Sequence, residues 1–177
     1  MIVWFSMDVY LLSQNSIRIK TKRSTVVIDP QKDITKTSAD CVIATGDVDL
    51  SKITDSRLLI EGVGEYEVGG LKITGLTFGD KTAYVLNADG VETFFAKTSV
   101  AENKPEITRD YLVAILNVDT ALNPTVVTSL EPRLLILYGE HAKEGAKILG
   151  KENVPVVSKY SFSEDKLTEE MEVVTLG

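Results

Sequence analysis

Ala39-Asp40-Cys41-Val42-Ile43-Ala44-Thr45-Gly46-Asp47-Val48-Asp49-Leu50-Ser51 reads as a short apolar strand that runs into a polar loop. Cys41–Ala44 is β-favouring, and Thr45–Asp49 turns the chain at its end. In α/β proteins the loop after such a strand is where chemistry is usually placed.

Upstream, Ile2–Phe5 and Val9–Leu12 are short apolar runs. Ser16–Thr21 alternates Ile17 and Ile19 with Arg18 and Lys20, the period of a half-buried strand. Thr25–Ile28 reads as a more fully buried strand closed by Asp29-Pro30, since Pro30 has no N–H for a ladder. Gln31–Ser38 is a polar loop with at most one helical turn. Downstream, Leu50–Ser56 is expected to make a turn of helix capped by Asp49 or Ser51, and Arg57–Ile60 a strand. Gly62–Gly75 has the pattern of a hairpin turning at Gly69-Gly70. Thr82–Leu86 and Val91–Phe95 form another, turning at Asp89-Gly90.

From Ala96 the pattern changes to strand–helix alternation. Val100–Pro105 is loop-like, Ile107–Tyr111 a weak helix signal, and Leu112–Val118 an apolar strand. Ala121–Leu130 is expected to be helical, with Thr120 as cap and Pro124 in its first turn. Leu134–Leu137 is a buried strand, and Glu140–Leu149 a helix stopped by Gly150. Val154–Val157 and Glu172–Leu176 close the chain around a polar loop. Strands first and alternation afterwards give a layered α/β sandwich in one domain, 1–177, with a strand-rich part over 1–99 and a strand–helix part over 100–177.

Composition narrows the function classes. The net charge is −7, with 44% hydrophobic and 25% charged residues, an ordinary soluble balance that argues against a nucleic-acid partner. The cluster Arg18, Lys20, Lys22 and Arg23 reads as one solvated face of a hairpin. The single cysteine, Cys41, lies in an apolar strand, which suits a buried thiol better than a nucleophile. Met1–Phe5 lacks the basic lead of a signal peptide, and no apolar run reaches the length of a membrane span, so a cytoplasmic protein without a membrane partner is expected.

Several pieces, in order, resemble the metallo-β-lactamase superfamily, in particular its branch of zinc-dependent hydrolases that includes the ascorbate-phosphate lactonases. Ser16–Lys20 resembles a second strand of that family, and Thr25–Pro30 its Thr-Val-Val-x-Asp-Pro segment. Ala39–Thr45 is similar to the strand before the histidine box. Gly64-Glu65-Tyr66-Glu67-Val68-Gly69-Gly70, followed by Leu71–Gly75, is the most specific match. Leu130-Glu131-Pro132-Arg133 resembles the segment before the last metal-ligand strand, and Asp165–Leu167 with Glu172–Val174 the family's tail. The resemblance implies a trimmed αββα sandwich: two mainly antiparallel or mixed sheets with flanking helices.

It also implies what the chain lacks. A His-x-His-x-Asp-His box is expected after Thr45, where this chain has Gly46 and Val48 for the two early histidines, Leu50 for the carboxylate and Ser51 for the last histidine. A third histidine would fall near Phe78-Gly79-Asp80. The bridging aspartate position holds Lys97, and the final histidine position is nearest Tyr138. Zinc needs three or four imidazole, thiolate or carboxylate ligands, and the one histidine, His141, lies past the ligand position. No metal or other cofactor is therefore expected, and zinc-dependent hydrolysis is expected to be lost.

Asp29, Asp47, Asp49 and Asp80 are expected around the rim, either as oxygen ligands for a hard cation or as caps for loop amides. Three functions stay open. The first is a non-catalytic relative kept for binding or assembly, for which the resemblance implies a homo-oligomer and Trp4, Phe5, Tyr10 or Phe78 as interface aromatics. The second is an enzyme of altered chemistry on the acidic rim. The third is a module that binds a small anion between Lys97 and Tyr138.

Overall fold

The computed structural model describes residues 5–104 and 109–177. In chain order its strands are β1 (Ser6–Ser13), β2 (Ser16–Thr21), β3 (Thr25–Ile28), β4 (Thr37–Ser38), β5 (Cys41–Ile43), β6 (Ile53–Thr54), β7 (Leu58–Ile60) and β8 (Gly64–Val68). There follow β9 (Leu71–Phe78), β10 (Lys81–Ala88), β11 (Val91–Lys97), β12 (Val113–Asn117), β13 (Leu134–Tyr138), β14 (Val156–Val157), β15 (Lys159–Ser163) and β16 (Glu172–Leu176). The helices are α1 (Thr98–Ala101), α2 (Pro124–Leu130) and α3 (Ala142–Ile148), with a 3-10 turn over Glu164–Lys166.

Two stacked sheets hold most of the chain. The first runs β15-β1-β2-β3-β5-β7 and the second β14-β16-β13-β12-β11-β10-β9-β8; β4 and β6 pair by themselves. Meanders and hairpins make the antiparallel parts, and β11-β12-β13-β16 is a parallel run. The expected α/β sandwich of two mixed sheets is present.

Burial follows the residue pattern. In β2, Ile17 and Ile19 are fully buried while Lys20 is exposed. β12 and β13 are buried at every position, as strands covered on both faces must be. Between the sheets, Ile17, Ile19, Val26 and Ile28 meet Ile73, Leu86, Phe95, Ile115 and Ile136 in one core. A second core lies on the far side of the second sheet, where Phe94, Leu116 and Leu137 pack against Val126, Val127 and Leu130 of α2 and Ala142 and Ala146 of α3. All three helices share this core. The outer face of the first sheet has no helix among the described residues; there the loop residue Ile34 is buried, and so are Val27 and Val42.

Local chemistry moves several boundaries. α2 starts at Pro124 because the Asn123 side chain accepts from the Thr125 N–H at 3.0 Å, replacing Thr120 as cap. Thr120 instead meets the Thr98 hydroxyl. The helical turn expected over Leu50–Ser56 is β6, since Lys52 C=O accepts from Thr37 N–H at 2.9 Å and Ile53-Thr54 are β-branched. A short helix, α1, replaces part of the Val100–Pro105 loop, and Val100 and Ala101 are its contribution to the second core. Of the helix expected over Ile107–Tyr111, residues 109–111 are not helical and the rest lies outside the described residues.

β15 sits where a polar loop was expected. Its Phe162 is buried against Phe5, ring centroids 5.9 Å apart, and the strand edges the first sheet beside β1. Phe5 and Phe78 are each 3% exposed and belong to the cores, so neither presents an interface. Tyr10 is half-buried between Arg18 and Lys159, and Trp4 lies outside the described residues. No helix among the described residues is long and apolar enough to cross a membrane.

Candidate functional site

The ends of β3 and β5 from one sheet and β11 and β12 from the other open onto a cleft of about 550 Å³. Asp29 forms its floor. The residue takes a left-handed backbone, φ 50°, which costs a non-glycine residue on the order of 1 kcal/mol and which aspartate tolerates better than most. Its N–H donates to Ile43 C=O at 2.9 Å. Its carboxylate accepts the Thr45 N–H at 2.7 Å and the Thr45 hydroxyl at 2.5 Å. The Lys97 ammonium lies 3.9 Å away. Burial pushes the Asp29 carboxyl above its ordinary value; Thr45 and Lys97 pull against that without overcoming it.

The opposite wall comes from the loop after β12. Asp119 accepts from the Thr98 hydroxyl at 2.9 Å, the Ser99 N–H at 3.0 Å and the Ser99 hydroxyl at 2.5 Å. Burial raises this carboxyl too, but the bonds from Ser99 and Thr98 outweigh it, and Asp119 titrates below its ordinary value. Of the four carboxylates that line the cleft, Asp29, Asp33, Asp47 and Asp119, burial raises Asp29 while hydrogen bonds lower Asp119. Asn117, Ser13, Gln14, Asn15, Gln31, Lys32 and Asp33 complete the lining.

The positions named from the sequence scatter around this cleft. Gly46, Asp47 and Lys97 line it together with Asp29. Val48 is half-buried beside it, while Leu50, 44% exposed, and Ser51 lie on the outer loop. Asp49 accepts the Ser51 N–H at 2.8 Å, a local turn that lowers its pKa, and its own N–H goes to Pro30 C=O. Asp80 sits in the exposed β9–β10 turn and does not line the cleft.

Tyr138 is wholly buried in the core between the sheets, so it cannot reach a ligand in the cleft. Burial drives its phenol well above the ordinary value, with Asp29 and Asp119 adding to the rise and Asn117 opposing it. Among the described residues neither the Tyr138 hydroxyl nor Asn117 Oδ1 has a partner in hydrogen-bond geometry. Cys41 is buried, and burial, aided by Asp40, pushes its thiol up to about 12. His141 occupies the N-cap position of α3, outside the cleft.

These donors do not fit a zinc ion. Among the described residues no three His, Cys, Asp or Glu side chains converge. Where a cation would sit beside Asp29 the chain places an ammonium, and a Cβ on Gly46 would lie 3.9 Å from Lys97 Nζ. The family resemblance pointed to Asp29 and Lys97 but not to Asp119 or Asn117. Their signal was their place, directly after the buried run Val113–Leu116, at the same end of the sandwich as Thr45.

No protein-family model matches the chain, and no curated protein matches it. Solved structures do. One, assigned as a Zn-dependent hydrolase of the metallo-β-lactamase superfamily from Thermotoga maritima, is 17% identical, with 96% of this chain and 98% of that one covered and a TM-score of 0.75. A metallo hydrolase from Ignicoccus hospitalis is 12% identical, with 89% and 98% covered and a TM-score of 0.61. The metallo-β-lactamase fold protein YhfI from Bacillus subtilis is 12% identical, with 90% and 99% covered and a TM-score of 0.58. The chain has the metallo-β-lactamase fold.

Proposed function

We propose that this chain is a non-hydrolytic protein built on the metallo-β-lactamase fold, a pseudo-hydrolase kept for binding or assembly. The observation that carries the reading is Lys97. Its ammonium stands 3.9 Å from the buried Asp29 carboxylate, so the deepest carboxylate of the cleft already has a cation of its own. Without a metal nothing at this site lowers the pKa of a water toward neutrality, and the one imidazole, His141, is outside the cleft and unplaced to act as base.

A second reading rests on the cleft itself. It is open rather than plugged by Val48, Leu50 or Phe78, and its lining is mostly amide, carboxylate and ammonium groups. That supports a small polar ligand held through Lys97, without help from Tyr138.

Elemental analysis of protein purified without a histidine tag tests the main reading. The expected result is substoichiometric transition metal, with a melting temperature unmoved by zinc, magnesium, calcium or chelator. Stoichiometric zinc, or a hydrolase activity abolished by chelation, would overturn it. A magnesium- or calcium-dependent rise in melting temperature would favour altered chemistry on the carboxylates instead.

A further inference from the structure

The two sheets have four outer edges, and three carry devices that discourage another strand. β8 presents the exposed Glu65 and Glu67. β15 opens with Lys159, and β14 is two residues long directly after Pro155. β7 is also short, at three residues, but no proline precedes it and no charge lies within it: its residues are Leu58, Leu59 and Ile60, it pairs only with β5 among the described residues, and Leu59 is 39% exposed. Val63, in the crossover toward β8, is 60% exposed, and the Tyr66 hydroxyl clamps that crossover by donating to Gly62 C=O at 3.1 Å.

We propose that the β7 edge is the contact surface of a two-fold homodimer, in which β7 pairs antiparallel with β7 of a second copy, centred on Leu59. The backbone phase suits this. Ile60 C=O accepts the Ala44 N–H at 2.9 Å, so Ile60 faces β5. In a parallel ladder alternate residues turn both main-chain groups to the same side, which leaves the Leu59 N–H and C=O pointing outward. A two-fold through Leu59 lets those groups exchange both bonds with their counterparts.

The charges agree with that register. Arg57 and Glu61 flank the strand symmetrically, both exposed, and neither has an ion-pair partner within 4 Å among the described residues. Pairing about Leu59 sets Arg57 opposite Glu61 of the partner subunit, and the reverse, while Leu58 meets Ile60 of the partner subunit. The Arg57 N–H is already spent on Asp40 C=O at 2.9 Å, so the new ladder is short and the side-chain charges fix its register. None of the cleft-lining residues lies on this edge, so the surface stands whether or not the cleft is catalytic.

Sedimentation over a range of about 1 to 200 μM tests it, since a contact this small predicts a micromolar dimer. Arg57→Glu is expected to weaken the dimer by about tenfold or more, and Arg57→Glu combined with Glu61→Arg to restore it. Leu59→Lys is expected to give monomer with unchanged circular dichroism. A wild-type protein that stays monomeric throughout overturns the proposal. So does a dimer indifferent to both Leu59→Lys and Arg57→Glu, and so does a double exchange that fails to rescue.

Discussion

The second sheet is buried on both faces, against the first sheet on one side and three helices on the other, whereas the first sheet has a full core on one side only. The difference is written in residue type. Every position of β12 and β13 is buried, and both strands are nearly uninterrupted apolar runs. β1 and β2 alternate, with Ser6, Asp8, Arg18 and Lys20 on the side that no helix covers. A strand's periodicity therefore reports how many layers will cover it as well as that it is a strand. The cleft lies where the two kinds of sheet end together, with Asp29 after a strand of one and Asp119 after a strand of the other.

The sharpest way to break this comparison is to truncate one large side chain on each of its two sides. Phe94 is fully buried in the helix-side core between Phe78 and Tyr111, whose ring centroids lie 5.9 and 5.3 Å away. Phe94→Ala is expected to cost about 3–5 kcal/mol by urea unfolding. Lys20→Ala on the open face of the first sheet should stay within about 0.5 kcal/mol. Similar losses at both sites would mean that the first sheet's outer face is covered.

The next test uses two of the cleft carboxylates, Asp119 and Asp29. Asp119 titrates below its ordinary value when folded, so its stabilisation is present at neutral pH and is lost as pH falls through the folded value. Asp119→Asn should cost on the order of 1 kcal/mol at neutral pH and remove that acid-side loss. Asp29 has the opposite sign: the folded chain holds its proton to higher pH than the unfolded chain, so stability declines as pH rises from the unfolded value through the folded one. Asp29→Asn should flatten that decline, and Lys97→Met should widen it by removing a charge that pulls the carboxyl down. Chemical denaturation at a series of pH values reads all three.

The smallest expected effect is at Tyr138. Its hydroxyl is buried without a partner in hydrogen-bond geometry among the described residues. Tyr138→Phe should therefore be neutral or stabilise by up to about 1 kcal/mol in thermal unfolding. A clear destabilisation would show that the Asn117 amide does satisfy the phenol.

Much of the architecture was legible because burial imposes period: the Ser16–Thr21 alternation, the Leu134–Leu137 run and the glycine turn at Gly69-Gly70 all became the expected elements. β15 was not, although Tyr160 and Phe162 alternate with Lys159, Ser161 and Ser163 as regularly as β2 does. Its polar half, on an outer edge, outweighed two aromatics. In the site, the family resemblance set Asp29 and Asp47 on a rim and Gly46 and Lys97 at ligand positions, and all four line the cleft. Asp49 and Asp80 were not brought in, because each sits in a turn of its own. Asp119 and Asn117 escaped notice because the parallel register that brings Asn117 beside Lys97 is a tertiary fact.

The proximity of Gly46 to Lys97 also constrains how this cleft can change. A side chain grown from Gly46 meets the Lys97 ammonium at 3.9 Å from its first carbon. An imidazole introduced there would gain a cationic neighbour that disfavours both its protonation and any incoming divalent ion. A lone histidine at position 46 is therefore unrewarded, and a metal centre could be built in this cleft only after the lysine had gone, which makes the lysine a mutational dead-bolt.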